Sequence, residues 1–166
     1  YQVRVSDSSD PSVSSTSGRF MVDNTAPTNV GCVYPSNGQR GINPVDAEFE
    51  ARAAADNLAG LHALPYYFRL DTVDSFDSAD LITSGWMETR EWSTQSLIPD
   101  SWYYWQVKAR DAADLPNESP FCGNADAGGT YWVFKSARVY FVTTVDGTDQ
   151  LRDVLSNQPL EGGDIV

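Results

Sequence analysis

His62 is the only histidine in the 166 residues, and that removes most of the side-chain chemistry a protein this size could perform. A Ser-His-Asp relay or a histidine-based metal cluster needs an imidazole held by partners, whereas Gly60-Leu-His-Ala-Leu64 reads as loop packing. Carboxylates are plentiful, with Asp71, Asp74, Asp77 and Asp80 at intervals of three residues. Glycosidic cleavage requires two carboxyls converging on one cleft at a fixed separation; a run along one connecting loop gives a solvated acidic edge. No phosphate-cradling glycine loop, Walker sequence or Cys-x-x-Cys is present. Cys32 and Cys122 have no basic neighbour in sequence to lower a thiol pKa. In a sandwich the first and last strands lie close enough for these two to form one disulfide, which suits an oxidising compartment; two buried thiols are the alternative. Among five tryptophans, Trp105 faces inward by parity. Trp86, Trp92, Trp102 and Trp132 are candidates for a sugar-stacking surface or for edge packing. Asn117-Glu-Ser119 fits an N-glycosylation sequon.

Charge and composition narrow the partners. A net charge of −12 opposes binding to phosphate backbones, which rests on Lys and Arg, and disfavours anionic membrane surfaces for the same reason. No apolar run approaches the 18 residues of a spanning helix. With 41% hydrophobic and 12% aromatic residues there is material for one well-buried domain of about 100–150 residues plus flanking pieces. The chain opens on Tyr1-x-Val-x-Val with neither an initiator Met nor a signal-peptide pattern, as a mature or truncated fragment would.

The elements that must position these groups are strands. Residues 1 to 8 alternate, residues 8 to 18 form a Ser-rich loop, and Arg19-Phe-Met-Val-Asp23 predicts a second strand, giving a hairpin that is marginal alone. Pro27 breaks the chain. Beyond it, strands are predicted near 30–34, 46–53, 65–71, 81–86, 91–97, 102–110 and 137–144. The fold class is therefore all-β: a seven-stranded antiparallel immunoglobulin-like sandwich, preceded either by the last two strands of a similar domain or by a hairpin that pairs with a neighbour. Inward positions are Ala47, Phe49, Ala51 and Ala53, then Tyr66, Phe68 and Leu70, then Tyr103, Trp105, Val107 and Ala109. The domain plan is residues 1–26 as hairpin and linker, 27–145 as the sandwich, and 146–166 as a linker or short helix. The long loop Asp114 to Ser136, carrying Cys122 and Tyr131-Trp-Val-Phe134, reads either as a recognition surface or as a disulfide-tethered hairpin.

One strand pattern occurs twice: Tyr1-Gln-Val-Arg-Val-Ser-Asp7 echoes Trp105-Gln-Val-Lys-Ala-Arg-Asp111. The interval is about one immunoglobulin-like repeat. Leu97-x-Pro99-x-x-x-Tyr103-x-Trp105-x-Val107-x-Ala109-x-Asp111 resembles the E-to-F corner of fibronectin type III domains, as do Tyr34-Pro-Ser-Asn-Gly38, Tyr66-Tyr-Phe-Arg-Leu-Asp71, Ser84-Gly-Trp86 and Asn117-Glu-Ser119 at their places. The resemblance covers residues 27 to 145 and implies a fibronectin type III-like sandwich with structural roles for Leu97, Pro99, Tyr103 and Trp105, the Tyr103 hydroxyl tying the loop to the strand. Phe20-x-Val-Asp-Asn-Thr-Ala-Pro27 is similar to the last strand and linker of repeated immunoglobulin-like domains of bacterial adhesins. That second resemblance implies calcium at a domain junction, with Asp7, Asp23, Asn24 and Asp111 as candidate ligands; turn capping by the same residues is the competing role.

Together these features lead us to expect a non-catalytic extracellular or cell-surface module in a tandem β-sandwich array, a stalk, adhesin or fibre component. It requires no cofactor, and calcium is the ion the resemblance brings. Its partners are neighbouring sandwiches, copies of itself, a glycan or a surface protein, with no nucleic acid and no membrane insertion. Two alternatives stand beside it: a self-assembling filament subunit completed by strand exchange, and an accessory carbohydrate-associated domain of a secreted hydrolase.

Overall fold

Period-2 alternation turns the longer segments into strands in the computed structural model, which describes residues 2–10, 12–18, 22–121 and 131–140. In chain order they are β1 (Arg4–Ser6), β2 (Ser14–Thr16), β3 (Cys32–Tyr34), β4 (Gln39–Ile42), β5 (Ala47–Ala51), β6 (Leu61–Asp71), β7 (Ile82–Met87), β8 (Glu91–Thr94), β9 (Trp102–Asp111) and β10 (Trp132–Ser136). None of the described residues is helical. The strands β1 and β2 pair as a hairpin, a five-stranded sheet runs β4-β10-β9-β6-β7, and a three-stranded sheet runs β3-β5-β8. The two larger sheets enclose one core in a β-sandwich-like arrangement.

The core forms where alternation turns large apolar groups inward from both sheets. Trp105 of β9 is fully buried, its ring 5.3 Å edge-on to Phe49 of β5 and 6.4 Å from Phe68 of β6. Phe49 also meets Phe134 of β10 at 5.6 Å and Trp92 of β8 at 5.1 Å. Tyr103 is buried, and its hydroxyl accepts the Ile98 N–H at 2.8 Å, while buried Leu97 donates its N–H to the Pro44 carbonyl. The corner is thereby tied to β9, with Pro99 exposed at its turn. Tyr103→Phe should cost about 1–2 kcal/mol in urea unfolding, because a partly buried N–H loses its acceptor; unchanged stability would count against the tie.

Several sequence expectations shift. Among the described residues eight strands follow Pro27, and β4 is one that the sequence did not show: Ile42 is its one buried apolar residue, too little to appear as alternation. The sheet is not wholly antiparallel, since β4 pairs parallel to β10. The strand β10 forms inside the segment expected to be a loop, so Tyr131-Trp-Val-Phe134 is no loop surface: Phe134 is buried in the core and Trp132 packs against it; of the last strand expected at 137–144, the described part holds one bridge residue, Val139. Residues 141–144 lie outside the described residues. Ala53 is exposed because β5 ends at Ala51. The hairpin returns through Ser14-Ser-Thr16, a polar strand set by backbone pairing that apolar pattern cannot reveal, and residues 19–21 of the expected second strand lie outside the described residues. The short helix considered for 146–166 also falls outside the described residues.

A second packed layer covers the outer face of the five-stranded sheet. The Arg69 guanidinium lies between the rings of Phe76 and Phe121 at 4.2 and 3.8 Å and donates twice to Gln106 Oε1 at 2.8 and 2.6 Å. Lys108 sits over Tyr67, Trp86 and Phe121 and pairs with Glu118 at 2.5 Å. This explains why Gln106, outward by parity, is buried.

The acidic run also divides. Asp74, Asp77 and Asp80 are exposed, but Asp71 is fully buried and accepts the Thr72, Val73 and Ser78 N–H groups and the Ser78 hydroxyl. Burial works against its ionisation, yet the Ser78 hydroxyl and the three N–H groups hold its carboxyl below the ordinary 3.8. A depressed folded value means that the stability it confers is complete above about pH 4 and is lost as pH falls toward the lower folded value. Ser78→Ala should therefore move the acid-unfolding midpoint to higher pH, followed by tryptophan fluorescence; coincident acid curves would contradict it.

Candidate metal centre

Three carboxylates from three separate segments meet at one pole of the sandwich. Asp23 comes from the linker, Asp56 from the loop between β5 and β6, and Asp111 from the end of β9; one carboxylate oxygen of each lies within 4.8 Å of the others. Local turn chemistry fixes each. Asp23 Oδ1 accepts the Thr25 N–H at 2.8 Å and Oδ2 accepts the Ala59 N–H at 3.0 Å. Asp56 Oδ2 accepts from the N–H groups of Leu58 and Gly60 at 3.0 and 2.8 Å, an Asx-type turn that Gly60 permits with φ of +75°. Asp111 Oδ1 accepts the Asn117 and Ala113 N–H groups at 2.8 and 3.2 Å. The Asn117 amide then joins two of the three segments, donating from Nδ2 to the Asp23 carbonyl and to Asp111 Oδ2, both at 2.7 Å.

The linker is stitched down as well as capped. Thr28 and Ala55 exchange both backbone hydrogen bonds at 2.8 and 2.9 Å. Asp23 and Asp111 are buried, and among the described residues no ion pair involves Asp23, Asp56 or Asp111. Burial disfavours the charged form of Asp56, yet the Leu58, Gly60, Ala59 and Asn57 N–H groups hold its carboxyl below the ordinary value. Its Oδ1 is buried with no hydrogen-bond partner. Three like charges gathered without a cationic partner, one buried oxygen unsatisfied, and a donor set made of oxygen alone fit a hard divalent cation. Calcium, which takes six to eight oxygens at flexible geometry, would draw the remainder from carbonyls or water. A hollow of about 410 Å³ adjoins the cluster, lined by Val22, Asn24, Leu115 and Pro116 among others.

Of the residues singled out from sequence, Asp23 and Asp111 come together and Asn24 lines the adjoining hollow. Asp7 does not join them; it sits in the hairpin turn, accepting the Ser9 N–H and hydroxyl at 2.7 and 2.6 Å. Asp56 went unnoticed, because its Asp-x-x-x-Gly turn signal says nothing about facing Asp111. Of the expected Cys32–Cys122 pair, Cys32 is buried in the core, and Cys122 lies outside the described residues. The Asn117 sequon nitrogen is engaged in the latch, which leaves it poorly placed for glycan attachment. Of the tryptophans, Trp102 is the most exposed at 41%, with Arg40 over its ring, whereas Trp86, Trp92 and Trp132 are half-buried. His62 Nδ1 accepts the Leu64 N–H at 2.9 Å, a local turn contact.

Compared with known proteins, the chain matches no family model and no curated sequence.

Proposed function

We propose that the chain is a non-catalytic structural segment of an extracellular tandem β-sandwich array, with its linker fixed to the following domain by a divalent cation, calcium, at Asp23, Asp56 and Asp111. The observation that carries this is the position of Asp23: a residue of the linker, not of the sandwich, is buried at the domain pole beside two loop carboxylates. A hinge between independent domains would leave such a linker in solvent. The division of strands, β3, β5 and β8 in one sheet and β6, β9 and β10 in the other, supports the fibronectin type III-like reading, since immunoglobulin-type sandwiches divide their strands in this way. The Tyr103 corner supports it further.

At a free calcium concentration a hundredfold above the dissociation constant, the cation should add about 2.7 kcal/mol of stability. Thermal unfolding should then move up by several degrees and return with a chelator. Equal melting curves with calcium and with chelator would overturn the cation-fixed junction. A polar cleft with catalytic turnover in any hydrolase assay would overturn the structural role.

A further inference from the structure

The hairpin at the start of the chain carries an uncovered apolar face. Register opposes Val5 to Ser15, and backbone bonds oppose Asp7 to Val13 and Val3 to Ser17. Val3, Val5 and Val13 therefore share one face, with Arg4, Ser6, Ser14 and Thr16 on the other. The three valines are 52%, 67% and 59% exposed. In the echoing segment the counterparts of Val3 and Val5, namely Val107 and Ala109, are 0% exposed beneath the opposite sheet. The counterpart of Arg4, Lys108, lies in the outer layer, so the two copies agree on both faces.

We infer that Val3, Val5 and Val13 form part of the inner face of a second β-sandwich, and that its occupant is the set of strands preceding them in the same polypeptide. This rests on the tandem reading for the kind of partner, but on the hairpin for its evidence. A two-stranded hairpin is marginal in water without a covering layer. A second copy docking by this face alone offers three valines, far short of the ~800 Å² a side of a standard interface. The interval decides between cis and trans: 104 positions separate Asp7 from Asp111, about one repeat of this domain type, so β1 stands where β9 stands in the next unit. Strand exchange with a neighbour sets no such interval. Asp7, the counterpart of Asp111, then belongs to the far pole of that preceding unit, which is why it does not join Asp23.

Amide exchange and sedimentation test this on the 166-residue chain and on the polypeptide extended upstream by one repeat of about 100 residues. The shorter chain should be a monomer whose β1 and β2 amides exchange within about tenfold of free peptide, while those of Phe68 and Val107 are protected at least ~1,000-fold. In the extended polypeptide, protection of the hairpin should rise ~100-fold or more, and Val5→Asp should abolish that gain without altering residues 22–140. Slow hairpin exchange in the monomeric shorter chain would overturn the inference, as would a dimer of that chain dissolved by Val5→Asp. So would an extended polypeptide with no gain in protection. None of these readings depends on calcium, so a failed cation site and a failed hairpin partner are separable.

Discussion

Trp105→Ala is expected to be the most damaging substitution in the described core, costing about 3–5 kcal/mol. The ring is fully buried and touches both sheets, meeting Phe49 across the sandwich and Trp132 at 6.0 Å on the neighbouring strand. Removing it leaves a cavity framed by rings that cannot all move inward, because Phe49 is itself held by Trp92 and Phe134. A domain of ordinary stability, about 5–15 kcal/mol, would lose a large share of it. Trp105→Phe should cost much less, since the Trp105 Nε1 is buried without a hydrogen-bond partner and phenylalanine removes that unsatisfied donor while keeping much of the ring. Urea unfolding of the two variants checks the contrast, and equal losses would contradict it.

Asp111→Ala is expected to have the second largest effect, and of a different kind. Its carboxylate receives the Ala113 N–H, the Asn117 N–H and the Asn117 amide, so alanine strands three donors at a buried position. Each orphaned donor costs about 1–3 kcal/mol, and the losses do not simply add; a total of about 3 kcal/mol is expected. The Asn117 latch then loses one of its two anchors, and the linker carbonyl of Asp23 keeps a partner no longer held in place. Calcium should cease to raise the melting temperature. A variant destabilised as expected but still responding fully to calcium would separate the latch from the cation.

The core was legible in the sequence because it depends on parity. Ala47, Phe49, Tyr66, Phe68, Tyr103 and Trp105 all turn inward as alternation requires, and the Tyr103 corner was reached through the resemblance to fibronectin type III domains. Elements held by backbone pairing alone were not legible. Strand β4 contributes one inward residue, and β2 is Ser-Ser-Thr with every residue exposed. The strand β10 was missed because Trp132-Val-Phe134 lies within what reads as one long loop, and only pairing of Trp132 with Trp105 reveals it. Of the candidate site, Asp23 and Asp111 were reached through a linker and strand resemblance. Asp56 was not, since its place depends on a loop folding back onto a strand end 55 positions later in the chain.

The junction gives the account its sharpest test: calorimetric titration of calcium into the full chain and into Asp56→Asn, which keeps the side chain's size and removes its charge. The account predicts one saturable site in the full chain, with a dissociation constant of roughly 10⁻⁴–10⁻³ M as in extracellular calcium modules, weakened at least about tenfold by Asp56→Asn. Absence of saturable binding in the full chain, or equal affinity in both proteins, would contradict a cation held by Asp23, Asp56 and Asp111.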